Sequence, residues 1–367
     1  MADTTVASAN RVQQWADDEF FEYTRKNPLN RYMGSGENSI IQVKEELTKD
    51  PGDRITFSLV SRLTGTGVAD DATLEGNEEA LGNYGHQVTV HQIRNGVVVG
   101  KYERIKTKID LLAAAKVMLR MWNMEQLRDL FLSRLLSPVT DGLTTYAAAT
   151  EAQKDAWETA NNPSDTNQRI LFGAAKSNST LDHSAGMTTV DATNDDLHQD
   201  IVRIGKRMAQ SCDPHIRPVA DEDGVERFVH FVGSVPMRDL RANWETILSN
   251  ADVRGSENAL FAGGDLKIDN VIVHEVPELD QLNTATPAGT TIANVGDGGT
   301  VEVQATFLCG AQALLLAWAQ RMGVNMDDFD YKNKRGVAVD EIRGCEKASY
   351  NSFQHGVATV YVASVGD

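Results

Sequence analysis

The feature that most constrains this chain is a long polar segment lodged between two strand-like runs and followed at once by a long amphipathic run. Ile55, Phe57 and Leu59 alternate with polar residues, and Val88 and Val90 resume the alternation later. That period of two belongs to half-buried strands, so strands are expected over 55–63 and 86–105. The segment 64–85 between them reads TGTGVADDATLEGNEEALGNYG, with glycines at 65, 67, 76, 82 and 85 and acids at Asp70, Asp71, Glu75, Glu78 and Glu79. A connection of that length is uncommon inside a compact domain and is usually functional or disordered. Leu74, Tyr84 and the flanking strands are too apolar for a solvated tail. The expectation is an arm that leans on something outside its own domain. Directly after it, over 108–137, Ile109, Leu112, Ala115, Leu119, Trp122, Leu127, Leu130, Phe131 and Leu135 fall mostly three or four apart. This is one face of a helix, about 45 Å long at roughly 1.5 Å per residue, with Pro138 to stop it. A helix of that length is a spine for other elements.

Charge removes several function classes. Lys and Arg number 35 against 52 Asp and Glu, a formal net charge of −17. Nucleic-acid binding needs a basic face that displaces counterions from phosphates, and an anionic membrane surface needs the same; only a local basic patch could serve either. With 367 residues the chain can bury a large core in two or three lobes. The three cysteines, Cys212, Cys309 and Cys345, are odd in number and far apart, so a disulfide framework is not expected and a reducing compartment fits. The opening MADTTVASANRVQQWADD has no apolar stretch after a basic one, and so does not read as a signal peptide. The most apolar window, 306–319 (TFLCGAQALLLAWA), is too short for a bilayer and reads as a buried helix.

Along the rest of the chain, 1–50 reads as an arm with little core of its own, Val12, Trp15, Phe20 and Tyr23 marking a short helical patch. Residues 139–193 read as an insertion with short helices, one over 147–160. Residues 194–211 read as a helix capped by Asn194, with Asp195 and Asp196 in its first turn and Leu197, Ile201, Ile204 and Met208 as its buried stripe. Strands are expected at 228–233, 270–274, 301–307 and 355–363, helices at 240–249 and 308–318, and irregular structure over 321–352. Strands interspersed with helices make the class α+β.

No motif for catalysis or a cofactor stands out. The acids of the 64–85 loop could hold a hard cation through oxygen ligands, but their spacing matches no EF-hand; a partner-facing acidic loop is the stronger reading. Asp221-Glu222-Asp223-Gly224 lacks the later ligands and reads as a turn. Gly65-Thr66-Gly67 lacks the third glycine and the helix of a dinucleotide site. Cys212 and His215 are the one close Cys/His pair, without two further zinc ligands, and packing at a helix end explains the cysteine. His86 and His91 read as surface or interface histidines. Thus no catalytic, cofactor or metal residue is assigned.

From 27 to 365 the chain resembles the major capsid proteins of tailed bacteriophages, in the family typified by the capsid protein of phage N-four. The residues that carry the resemblance are YMGSGENSII at 32–41, Gly52-Asp53, LEGNEE at 74–79, the long helix, WETILSNADVRGSENALFAG at 244–263, GAQALLLAW at 310–318, Tyr331, Gly344 and Gly356-Val357. Their order and completeness matter more than any single piece. The resemblance implies an HK97-like fold: an N-terminal arm (1–52), an extended two-stranded loop (53–107), a peripheral domain with the spine helix and an insertion (108–212), an axial domain (213–345) and a C-terminal strand returning to the peripheral domain (346–367). It implies hexamers and pentamers of one polypeptide closing into an icosahedral shell around double-stranded DNA, without sequence-specific contact, in a virion made in the host cytoplasm. Scaffolding, decoration and portal proteins are the further partners implied; no membrane is. No cleavable scaffold segment is evident at the N-terminus, which points to a separate one. Expected contact residues between copies are Asp70, Asp71, Glu75, Glu78 and Glu79 on the loop, Arg94, Arg104 and Lys106 as opposite charges, and Trp15 and Tyr23 of the arm. Two other readings are an encapsulin-type shell and a soluble enzyme with an acidic metal loop.

Overall fold

The computed structural model describes residues 27–48, 52–70, 73–107, 109–138, 144–220, 224–242, 266–281, 283 and 289–366. Trp15, Tyr23 and Asp71, the 221–223 turn and the whole 244–263 motif lie outside these residues. The chain forms two compact units, one of 27–91, 127–321 and 342–367, the other including 92–126 and 322–341.

The larger unit is built on a mixed sheet. Its strands run in the order Ile170–Phe172, Val357–Ala363, Val303–Cys309, Glu226–Val232, Val271–Glu275, Leu266–Ile268. Val357–Ala363 runs antiparallel to Val303–Cys309 and parallel to Ile170–Phe172. Alternation along this strand divides the core in two. Val357, Tyr361 and Ala363 face one side, packed with Phe131, Leu132 and Leu135 of the spine helix and Trp157 of helix Glu151–Asn161. Ala358, Val360 and Val362 face the other, packed with Ile201, Val202 and Met208 of helix Gln199–Ser211 and Met237 and Leu240 of helix Ser234–Ala242. A sheet covered on both faces needs strands that are apolar throughout, and all seven residues of Val303–Cys309 are buried.

In the smaller unit, Val99, Leu112, Leu119, Val337 and Val339 form a separate core with Trp122 packed against it. The strand His91–Gly100, helix Lys101–Lys106, the N-terminal part of the spine helix and the strand segments 322–329 and 334–341 supply it. Asn123 donates to Glu341 at 2.7 Å.

The spine helix is one element, Leu111–Leu136. Several other expectations are corrected. The run 86–105 is not one strand: it divides into Asn83–Thr89, His91–Gly100 and helix Lys101–Lys106. The window 306–319 is not a helix but the end of Val303–Cys309, a turn, and the start of Leu314–Phe329. Leu314 and Leu316 enter one core and Leu315 and Ala317 another; a strand buried on both faces is a solid apolar run, which periodicity cannot tell from a buried helix. Residues 321–352 are mostly strand, through Leu314–Phe329 and Lys334–Lys347. Helix Gln199–Ser211 starts later than expected, with His198 in the cap position. Asp191, not Asn194, caps the preceding turn, accepting from the Thr193 and Asn194 amides at 2.7 Å each. A helix Ser234–Ala242 precedes and overlaps the start of the one expected over 240–249, of which 243–249 lie outside the described residues. Within the described part of the first fifty residues, Leu29, Ile40 and Ile41 are buried in the main cluster.

Candidate assembly surface

Strands Arg54–Val60 and Asn83–Thr89 pair antiparallel along their whole length, from Arg54 opposite Thr89 to Val60 opposite Asn83. The hairpin's two ends have different surroundings. At its base Ile55, Phe57 and Val88 are buried with Leu315, Ala317, Ala348 and Tyr350. His86, expected at a surface or an interface, is buried within the subunit. Its Nδ1 donates to the Ser349 carbonyl at 3.1 Å, and its Nε2 meets the Glu346 carboxylate at 3.0 Å. The other Glu346 oxygen accepts from the Thr89 amide at 3.3 Å. Gly344 lets this anchor close: a Cβ there would stand 2.0 Å from the Thr89 carbonyl oxygen, so only glycine permits that approach. The Lys44 ammonium sits 4.6 Å from the centre of the Phe57 ring.

Further out the apolar residues lose their cover. Val60, Leu63, Leu74 and Leu81 are 57–62% exposed, and Arg62 pairs with Asp213 at 2.7 Å where the stem leaves the body. Beyond that point the hydrogen bonds of the loop's described residues stay within it or reach Ser61. Ser61 donates its amide to Gly82, and the Glu79 carboxylate accepts from the Thr64 amide at 2.6 Å, the Gly65 amide at 2.7 Å and the Thr64 hydroxyl. Those backbone bonds hold the Glu79 carboxyl below its ordinary range. At the tip, Asn77 closes a turn onto the Leu74 carbonyl at 2.9 Å and its side chain donates to Thr73. Glu78 accepts from the Gly76 amide at 2.8 Å.

The expected contact residues therefore separate. Asp70, Glu75 and Glu78 are exposed on the loop. Glu79 is exposed as well, and its carboxylate bridges the Thr64 and Gly65 amides at the loop's neck. Arg94, Arg104 and Lys106 are exposed in the other unit, where Lys106 is engaged by Glu103 at 2.9 Å and lies over the Tyr102 ring. The anchors His86 and Glu346 were not assigned from sequence; they lie far apart in the chain, and only strand pairing joins them. Cys212 is buried at a helix end, its thiol donating to the Ala209 and Pro214 carbonyls, and burial pushes its pKa up. That is a packed thiol and a poor nucleophile. Among the described residues no three His, Cys, Asp or Glu side chains gather as a metal site, and no helix is long and apolar enough to cross a membrane.

The chain as a whole has counterparts among known proteins. A family model described as phage capsid protein matches residues 3–365. The major capsid protein of Pseudomonas phage KPP25 is 28% identical over 357 residues, spanning 92% of this chain and 90% of that protein. Among solved structures, the capsid of cyanophage Pam1 superposes with a TM-score of 0.87 at 34% identity, over 100% of both chains. The capsid of Ralstonia phage GP4 superposes with a TM-score of 0.73 at 22% identity, over 100% of this chain and 99% of the other, and bears on the fold alone.

Proposed function

This chain belongs to the phage capsid protein family, and from that premise we infer that the Arg54–Thr89 hairpin is the arm by which one copy of a major capsid protein grips the next. The protein is a structural protein of the phage capsid, with an α+β, HK97-like fold, and its copies associate into a shell. Its work is assembly rather than catalysis. The observation that carries the arm is the gradient along the hairpin: a base buried to within a few per cent at Ile55, Phe57 and Val88, and a tip whose leucines are more than half exposed. An apolar tip on a rigid base loses free energy in water and regains it when covered. Each such contact is weak alone, but many in a closed shell act together and make dissociation rare.

We extend this to hexamers and pentamers in an icosahedral shell enclosing double-stranded DNA, assembled in the host cytoplasm with scaffolding and portal proteins. The arm proper is then 54–89, shorter than the 53–107 expected. The acidity of the chain suits a container: a wall of like charge to the phosphates lets a genome enter and leave. Deleting 66–82 tests the arm. Gly65 would then meet Asn83 across a short hairpin loop of ordinary length, so a folded, unassembled subunit is expected, read by circular dichroism, light scattering and electron microscopy. Normal shells from the deletant would refute the arm.

A further inference from the structure

The arm needs a receiver, and the same chain carries a surface of matching charge; the inference rests on the arm reading above. Helix Gln199–Ser211 buries Ile201, Val202, Met208 and Ala209 against the sheet. Its outer face carries Arg203, Lys206, Arg207 and Gln210, which at steps of three and four form one stripe. The stripe floors a hollow of about 630 Å³ with Ile204 and Asp269 in its lining. Past Arg207 and Gln210 a second hollow of about 510 Å³ reaches Lys176. The two share those residues and form one groove.

The groove's acids are spent on a single cation. Arg203 holds Asp269 at 2.8 Å and Asp200 at 3.1 Å, bonds that raise its pKa. Lys206 donates to the Asp269 carbonyl at 2.6 Å, a neutral acceptor. Among the described residues no carboxylate pairs with Lys176, Lys206 or Arg207. A helix C-terminus favours cations on its last turns, but Lys176 comes from a separate turn, Lys176–Asn178, and the dipole does not account for it. Four cations against two carboxylates leave a net charge of +2 around a concave surface, in a chain of net charge −17.

The loop tip is the complement. Its 74–77 turn is a preformed knob, held by Asn77, that presents Leu74 and Glu75, with Glu78 beside them, all exposed. Preformed parts lose little entropy on docking. The alternative basic cluster, around Arg104 and Lys106, has Lys106 already taken by Glu103. We propose that the groove along Gln199–Ser211 receives the 73–78 turn of a second copy, Glu75 and Glu78 facing Lys206, Arg207 and Lys176 while Leu74 covers Ile204.

Reciprocal charge reversal on the full chain tests this. Lys206→Glu with Arg207→Glu, and separately Glu75→Lys with Glu78→Lys, are each expected to raise the concentration at which shells form by about tenfold or more. The four changes together are expected to restore it to within about threefold, the signature of direct coupling. Thermal melts of the unassembled subunits check that each variant folds. If the groove variant assembles like the parent while the 66–82 deletant does not, the receiver is wrong and the arm stands. If the deletant also assembles, the arm itself falls. Groove variants that form normal shells but retain less DNA would make the stripe a phosphate contact and overturn the proposal, as would failure of the fourfold variant to recover.

Discussion

Lys347 sits where a charge is least welcome. It is 4% exposed, donates to the Gln354 amide oxygen at 3.0 Å, and lies 5.2 Å from the centre of the Trp157 ring. Burial pushes its pKa from 10.5 down to about 7, opposed only by Cys309. Unfolding returns the amine to water and to its ordinary pKa. Between pH 7 and 10.5 the unfolded chain therefore binds more protons at this site than the folded one, so stability rises with pH across that window. A displacement of this size is worth on the order of 4 kcal/mol at neutral pH, of which about 2 kcal/mol is recovered between pH 7 and 9 at roughly 1.4 kcal/mol per unit of pKa. Lys347→Met keeps the length and removes the titration. Denaturant unfolding of the unassembled subunit at pH 7, 8 and 9 gives the two slopes, and their difference cancels every other titrating group. The parent is expected to gain about 2 kcal/mol more than the variant over that range. Parallel curves would refute the reasoning, because they would mean that the folded amine titrates as it does in water.

Three further outcomes are expected. Phe57→Ala empties the hairpin's base, where the ring is 1% exposed, and is expected to cost about 3–5 kcal/mol with weakened assembly; a loss below about 1 kcal/mol in denaturant unfolding would show that the base is not packed as described. Asp280 accepts from the Ser234 amide at 2.8 Å, the Ser234 hydroxyl and the Val235 amide at 3.4 Å at the start of helix Ser234–Ala242, and from Gln304 at 2.9 Å; Asp280→Ala is expected to lower stability by about 1–3 kcal/mol, and thermal unfolding reads it. The lowered carboxyl of Glu79 means that the neck clamp is present above the ordinary carboxylate pKa and lost as pH falls through the lowered value. Amide exchange at Thr64 and Gly65 should accelerate there once intrinsic rates are divided out, and Glu79→Gln should remove the pH dependence.

Local pattern was enough for some of this protein. The spine helix could be read because Leu112, Leu119, Leu127, Leu130 and Leu135 keep one face over many turns, and no strand can bury such a set. The hairpin could be read because Ile55, Phe57 and Val88 alternate with polar neighbours, and the α+β class followed from the mixture of the two periods. Three other decisions were tertiary. Whether 306–319 is helix or strand depends on whether apolar neighbours exist on both sides, and a run apolar at every position holds no period from which to tell. Whether His86 is a surface residue or a buried anchor depends on Glu346 and Ser349, which pairing of distant strands brings to it. Among the loop's acids, sequence supplied the charge, but the partners came from the fold: all three of Glu75, Glu78 and Glu79 are exposed, and Glu79 alone bridges two backbone amides at the neck. Sequence thus determined that there are two strands joined by a long acidic loop; the tertiary structure decided where that hairpin is held and which backbone groups its acids meet, because both depend on groups that meet only after the chain has folded.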